Sequence, residues 1–220
     1  MARTRSRVHE TDHGIQGYFN VEIYDQMQRR FRDRGWMETK EILKSGITHG
    51  LVLEIGPGPG YLGLEWLKQT EGTTLKGLEI SADMMALAER NARAYGLSDR
   101  VEYKPGSGAE IPFDDETFEG AFTNGSLHEW SNPKSTFNEA WRVLKPGGRL
   151  FVSDLRRDLF FGVKWFLWFA TKPKEIRPGL LTSIRSAYTP GELKDLLQET
   201  RWKSYEVIRN PLGIKMRGVK

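Results

Sequence analysis

Leu51-Val52-Leu53-Glu54-Ile55-Gly56-Pro57-Gly58-Pro59-Gly60 is the stretch from which the rest of the chain can be read. Its first half, apolar with β-branched members, predicts a buried strand. Its second half is a turn in which glycines alternate with prolines, and the helix-like Tyr61-Leu62-Gly63-Leu64-Glu65-Trp66-Leu67-Lys68 follows directly. Glycine suits such a turn because it accepts positive φ and, lacking Cβ, lets a ligand come close to the backbone. The unpaired N–H groups of the first helical turn lie beside it. A small molecule is therefore expected on this turn.

Working outward, the same strand, turn and helix rhythm repeats. Thr74 to Ile80 predicts a second strand that ends at Glu79. Ala82 to Tyr95 predicts a helix opened by Ser81 and stopped by Gly96. Further strands are expected at 100–104, 118–123 and 149–153, the last ending at Asp154. The helix between the last two runs from about Lys134 to Leu144 and is ended by Lys145-Pro146-Gly147-Gly148. Upstream, Phe19, Ile23, Tyr24, Met27 and Phe31 recur at helical spacing, and a second helical stretch covers Met37 to Leu43. Downstream, Thr189-Pro190-Gly191-Glu192 carries a capping box with proline at the first helical position. Two closing strands, 202–209 and 212–216, form a hairpin about Asn210-Pro211, which makes one strand antiparallel to the others.

This pattern predicts an α/β fold: a Rossmann-like, doubly wound, mostly parallel seven-stranded sheet with one antiparallel strand, plus N-terminal helices and a helical lid insert. The expected divisions are an N-terminal tail and cap helices over 1–45 and a ligand-binding core over 46–157. An aromatic lid insert over 158–188 and a C-terminal helix with closing strands over 189–220 complete the chain.

Composition narrows the function. At 220 residues and 25.3 kDa the chain suits one substantial domain, with 38% apolar residues. The absence of cysteine removes disulfide and thiolate chemistry. Met1 to Glu10 hold mixed charges and no apolar run, so no signal peptide is expected and the cytoplasm is the expected location. The net charge of +4 comes from bases interleaved with acids, so nucleic acid is not the expected partner. The aromatic run 159–170 is too short for a span and carries Lys164 in its middle. A monomer or homodimer is expected.

The turn itself excludes some ligands. No Gly-Lys-Ser/Thr follows it, which removes the P-loop, and its glycine placement misses the dinucleotide fingerprint. Glu54, two residues before Gly56, would repel a pyrophosphate and hold a cationic amino-acid ligand.

With those residues in view, positions 48–155 resemble the class I S-adenosylmethionine-dependent methyltransferases of the ubiquinone/menaquinone-biosynthesis-like subgroup, with Leu53 to Gly60 similar to that superfamily's first motif. The resemblance implies S-adenosylmethionine as cofactor. It places Glu54, Gly56, Pro57, Gly58 and Gly60 around the methionine moiety, Glu79 on the ribose hydroxyls, and Ile80 and Met84 beside the adenosine. Gly106-Ser107-Gly108-Ala109-Glu110-Ile111-Pro112-Phe113 and Asp115 to Glu119 resemble later blocks of the subgroup. There an aspartate commonly stands where this chain has Gly108, leaving Ser107, Gly108, Ala109 and Glu110 to meet adenine through backbone groups. Glu139 to Gly148 is a specific match of structural character.

Methyl transfer needs an aligned acceptor and a route for its proton. The loop Asn124-Gly125-Ser126-Leu127-His128-Glu129-Trp130 falls at the strand ends where such folds bind ligands. Asn124 and Gly125 are assigned to the cofactor side, Leu127 and Trp130 to the acceptor side. His128 is the candidate general base, with a packing or positioning role as the alternative. A metal reading built on His128, Glu129 and Asp154 is set aside, since the histidines at 9, 13, 49 and 128 have no ligand spacing. His9 and His13 belong to a tail able to fold over the site. Tyr18, Phe19, Tyr24 and the Phe160–Phe169 cluster are candidates to roof an apolar acceptor pocket, although packing of most of these aromatics onto the sheet is the favoured account. Arg185 and Tyr188, with Arg177, are polar candidates on the lid, and membrane-surface contact is a weaker variant. Two other function classes stay open: a non-catalytic S-adenosylmethionine sensor or partner subunit, and a nucleotide-dependent dehydrogenase.

Overall fold

The strand Leu51–Ile55 (β1) lies inside a seven-stranded sheet, which is why its residues from Val52 onward are all buried. The computed structural model describes residues 6–8 and 17–220, apart from the side chains of Tyr18 and Phe19. Ahead of β1 come the helices α1 (Tyr18–Asp33) and α2 (Thr39–Lys44). After it follow α3 (Tyr61–Leu67), β2 (Thr74–Glu79), α4 (Ala82–Tyr95), β3 (Val101–Pro105), β4 (Phe118–Asn124), α5 (Pro133–Val143) and β5 (Leu144–Leu155). The helices α6 (Phe161–Ala170), α7 (Arg177–Ser186) and α8 (Pro190–Gln198) lead to the hairpin β6 (Ser204–Arg209) and β7 (Gly213–Val219). The strand order is β3-β2-β1-β4-β5-β7-β6, and β7 alone runs against the direction of the other six strands.

Side chains of a strand alternate between its two faces, and β1 shows what this does to the core. Leu53 and Ile55 pack with Leu78, Phe118, Phe137, Leu193 and Trp202 on one face. Val52 packs with Ile42, Trp66, Leu75, Phe122 and Phe151 on the other. Both buried indoles are satisfied: Trp66 Nε1 donates to the Ile47 carbonyl at 2.9 Å, and Trp202 Nε1 to that of Phe137 at 2.8 Å. Local signals act as expected at the helix ends. Ser81 Oγ accepts from the Met84 amide, Gly96 closes α4 in the left-handed region, and Thr189 and Glu192 form the reciprocal capping box of α8.

Two expectations are corrected. The fifth strand begins at Leu144 rather than 149, because Leu144 pairs with Phe118 across an irregularity in the ladder, and Gly147 and Gly148 bond to the backbone of Lys220. The aromatics of the insert do not pack onto the sheet. No residue of α6 is buried; Phe160 is 76% exposed, Phe161 69% and Phe166 61%, and the helix rests on α7. Among the described residues no helix is long and apolar enough to cross a membrane.

Candidate functional site

β1 delivers the chain into a turn in which Gly56, Gly58 and Gly60 all take positive φ, at 68°, 54° and 80°. Two of these positions also lack room for a side chain. A Cβ on Gly56 would collide with Ser126 Oγ, and one on Gly60 would sit 2.5 Å from Tyr103 Oη. The turn is tied to β2 by the Gly56 amide, which donates to the Leu78 carbonyl at 2.9 Å.

Beside the turn is an open cleft at the carboxyl ends of the strands. It is lined by Gly56 and Gly58 of the turn and by Glu79, Ile80 and Met84 at and after the end of β2. The lining also includes Ser107 and Gly108 after β3, Gly125, Ser126, Glu129 and Trp130 after β4, and Tyr24 of α1. A smaller adjoining pocket shares Tyr24, Gly56 and Gly58 and adds Glu54, Pro57, Tyr61 and Asn124. The Trp130 ring stands edge-on to Phe137, with centroids 5.4 Å apart, so the core holds it in place.

The acidic residues of β1 and β2, Glu54 and Glu79, are buried. Glu79 Oε2 accepts from the Gly58 amide and Oε1 from the Ser81 amide, each at 2.9 Å. Burial raises its pKa against these hydrogen bonds, and each oxygen keeps further acceptor capacity. Glu54 points to the α3 face of β1, where Gly63 leaves space for its carboxylate. It is 2% exposed, and its Oε2 has no hydrogen-bond partner among the described residues. Burial first, and then the charge of Glu79, push its carboxyl up to about 8 against the lowering effect of the Gly63 backbone amide. A buried carboxylate with one oxygen lacking a hydrogen-bond partner among the described residues, bordering a pocket, suits a ligand that brings its own cationic N–H.

The loop after β4 turns through Gly125, at φ 70°, into a single 3₁₀ turn over Leu127–Glu129. His128 is buried there. Its Nδ1 lies 2.8 and 3.0 Å from the two carboxylate oxygens of Asp154, and its Nε2 lies 3.8 Å from Glu129 Oε1. Donation from Nδ1 to a carboxylate leaves Nε2 as the basic nitrogen of the ring.

The loop 106–115 is clamped by Arg142. Its guanidinium donates to the carbonyls of Ile111 and Phe113, both at 2.9 Å, and to Glu139 and Asp115. Glu139 also accepts from the Ile111 amide at 3.0 Å, so the sequence block ending in Gly148 holds a cleft-lining loop. Gly108 has a physical reason to be glycine: an added Cβ would meet Thr136 Cγ2 at 2.8 Å and Ile55 Cγ2 at 3.0 Å.

Several expected site residues are not brought to the cleft. His128, 4% exposed, lines neither pocket and lies behind the cleft residues Ser126 and Glu129; Gly60 is buried beneath the turn, and Ala109 and the exposed Glu110 lie past Ser107, with Glu110 bridged back to it. Leu127 is a correction: as the first residue of the 3₁₀ turn it points into the core and is fully buried. Tyr188 is also in the core, with the Arg7 guanidinium 4.2 Å from its ring centroid, and Arg185 is exposed on α7; neither lines the cleft. The Phe160–Phe169 cluster does not roof the cleft either. The side chains of Tyr18 and Phe19, and all of His9 and His13, lie outside what is described. Ser126 and Ser131 were not anticipated as cleft residues, although they belong to or adjoin the loop that was. Among the described residues no group of three or more acidic or histidine side chains is placed to hold a metal ion.

Residues 53–152, from β1 into β5, match the methyltransferase domain family. The chain is 32% identical over 104 residues to the methyltransferase GfsG of Streptomyces halstedii, an alignment covering 47% of this chain and 37% of that protein. This chain thus spans well under half the length of that relative. It is 25% identical over 171 residues to the demethylmenaquinone methyltransferase of Porphyromonas gingivalis, covering 76% of this chain and 70% of that one. Among solved structures, a SAM-dependent methyltransferase from Aquifex aeolicus superposes with a TM-score of 0.70 at 20% identity, covering 90% of this chain and 96% of that chain, which shows the shared fold. The buried carboxylates of β1 and β2 and the glycine turn between them lie inside the segment matched by the methyltransferase domain family, and it is over this segment that the chain is similar to these methyltransferases.

Proposed function

We propose that this protein transfers a methyl group from S-adenosylmethionine to a small-molecule acceptor. The observation that carries the reading is the buried Glu54 carboxylate, whose Oε2 has no partner among the described residues beside a turn built of backbone. A dinucleotide site would meet its pyrophosphate with an opposing charge there; an amino-acid ammonium supplies the missing donor.

When bound, S-adenosylmethionine supplies an electrophilic methyl group on a sulfonium. In this reading the chain's own residues bind, orient and handle the proton. Glu54 holds the ammonium, with Pro57, Gly58 and Asn124 shaping the surroundings of the methionine part. Glu79 accepts from the ribose hydroxyls with the capacity left over from the Gly58 and Ser81 amides. Ile80 and Met84 cover one face of the base, and the Ser107 and Gly108 backbone meets its edge. Tyr24, Glu129 and Trp130 face the remaining space and orient the acceptor. His128, oriented by Asp154, receives the acceptor's proton at Nε2.

Equilibrium binding and turnover test this separately. S-adenosylhomocysteine is expected to raise the melting temperature while a nicotinamide dinucleotide leaves it unchanged; the reverse would sink the reading in favour of a dehydrogenase. Incubation with methyl-labelled S-adenosylmethionine and a metabolite library should then label at least one small molecule. Binding with no acceptor labelled would favour a sensor or partner subunit.

A further inference from the structure

The helix α6 is apolar except for Lys164, and none of its residues is fully buried. Phe161, Trp165 and Phe169 are spaced four residues apart and form a continuous ladder on its exposed face. Trp165 stands edge-on to Phe161 at 5.9 Å and stacks on Phe169 at 5.4 Å, and exposed Phe160 and Phe166 flank the row. Aromatic patches of this kind in water mark a surface that something covers.

The surrounding charge says what kind of surface covers it. Between 158 and 188 the acids are Asp158 and Glu175, and Asp158 is engaged by Arg156 at 3.0 Å. The bases are Lys164, Lys172, Lys174, Arg177 and Arg185, and Arg177 lies over the Trp168 ring at 4.4 Å. A second copy packed on the same face about a two-fold axis would set this basic rim against itself. An anionic lipid surface instead pairs with it, and aromatic rings are the side chains that settle at the headgroup boundary. At 10 residues the helix is about 15 Å long, half a bilayer core, so it can lie in the interface but not cross it.

We propose that α6 is a membrane-surface anchor, its Phe161–Trp165–Phe169 face seated among the headgroups of an anionic phospholipid bilayer and the neighbouring lysines paired with lipid phosphates. The proposal stands on the surface and not on the methyl-transfer reading.

The full chain is sedimented with extruded vesicles of phosphatidylcholine alone or of phosphatidylcholine mixed with phosphatidylglycerol. Pelleting with the anionic vesicles and not the neutral ones is expected, weakening as salt is raised. The triple substitution F161S/W165S/F169S should lower partitioning by about tenfold or more, while its melting temperature and its shift with S-adenosylhomocysteine stay at wild-type values. K172Q/K174Q should lower the preference for anionic vesicles and leave the melting temperature unchanged. Equal pelleting with and without lipid overturns the proposal, as does a triple variant that binds vesicles like wild type. A dimer in sedimentation velocity that the triple substitution dissociates, with no vesicle binding by wild type, overturns it in favour of self-association.

Discussion

His128 Nδ1 lies 2.8 Å from Asp154 Oδ1, and the His128 amide donates to Asp154 Oδ2 at 2.8 Å, so one carboxylate at the end of β5 fixes both the ring and the backbone of the loop after β4. Ring and loop are therefore separable by mutation. H128N is expected to lower kcat by about a hundredfold, with the KM for the donor little changed and the acidic limb of the pH–rate profile lost. D154N, which can present an N–H to Nδ1 and favour the wrong tautomer, should lower kcat comparably. D154A should in addition cost about 1–3 kcal/mol of stability by orphaning a buried amide. If H128N leaves kcat and the pH profile intact, His128 is a packing residue.

Glu54 makes the ligand-free protein sensitive to alkali. Its carboxyl, pushed up to about 8 in the fold, titrates near ~4.3 in an unfolded chain. Between those values the folded protein holds more protons than the unfolded one. The stability linked to this group is thus complete at acid pH and is lost as pH rises through the folded value. Urea unfolding without ligand should show the midpoint falling from about pH 5 to about pH 9, with E54Q flattening the slope by an amount on the order of a few kcal/mol. E54Q should also bind S-adenosylhomocysteine at least about tenfold more weakly, while wild-type affinity improves as pH rises toward 8. Parallel slopes in the two proteins would count against the buried-carboxylate account.

Restoring the aspartate common at position 108 should harm this chain. The space beside Gly108 is already taken by Thr136 and Ile55, and overpacking of this kind costs about 1–3 kcal/mol. G108D is expected to lower the unfolding midpoint accordingly, and T136A in the same chain should recover part of the loss. No recovery would mean the clash lies elsewhere.

Arg142 is not replaceable by lysine. Its planar fork serves two carbonyls and two carboxylates at once, which an ammonium cannot reproduce. R142K should cost about 1–3 kcal/mol at neutral pH. Glu139 is held below the usual carboxylate range, chiefly by its hydrogen bonds to Arg142. The stability from that pair is therefore present above the ordinary carboxylate range and lost as pH falls through the lowered folded value. The gap between wild type and R142K in urea unfolding should close in acid; a gap constant with pH would show that the carboxylate plays no part.

The donor half of the candidate site was readable because it is local. A strand, three glycines and an acid at the next strand end form within short windows, and turn chemistry marks each boundary. The same locality misread Lys145-Pro146-Gly147-Gly148 as a plain stop, since its pairing partner Lys220 is over seventy residues away. His128 and Asp154 were grouped only in the metal reading that was set aside; that they form a hydrogen-bonded pair follows from the register of β4 on β5, where Asn124 pairs with Ser153. Gly108 was legible as a departure but not as a consequence of Thr136, which only packing reveals. The insert defeated the reading most completely, because aromatic residues in sequence predict burial, and here five of them face outward.

The glycine turn has an evolutionary corollary. Its positive-φ glycines, two of them with no space for a side chain, leave the floor of the cleft almost no tolerated substitutions. Tyr24, Glu129 and Trp130 instead project side chains from a helix and a loop, where exchange disturbs no backbone geometry. Under selection for a new acceptor, such a protein would accumulate its changes on that side alone, so paralogues would keep one inherited donor grip while their chemistries diverge.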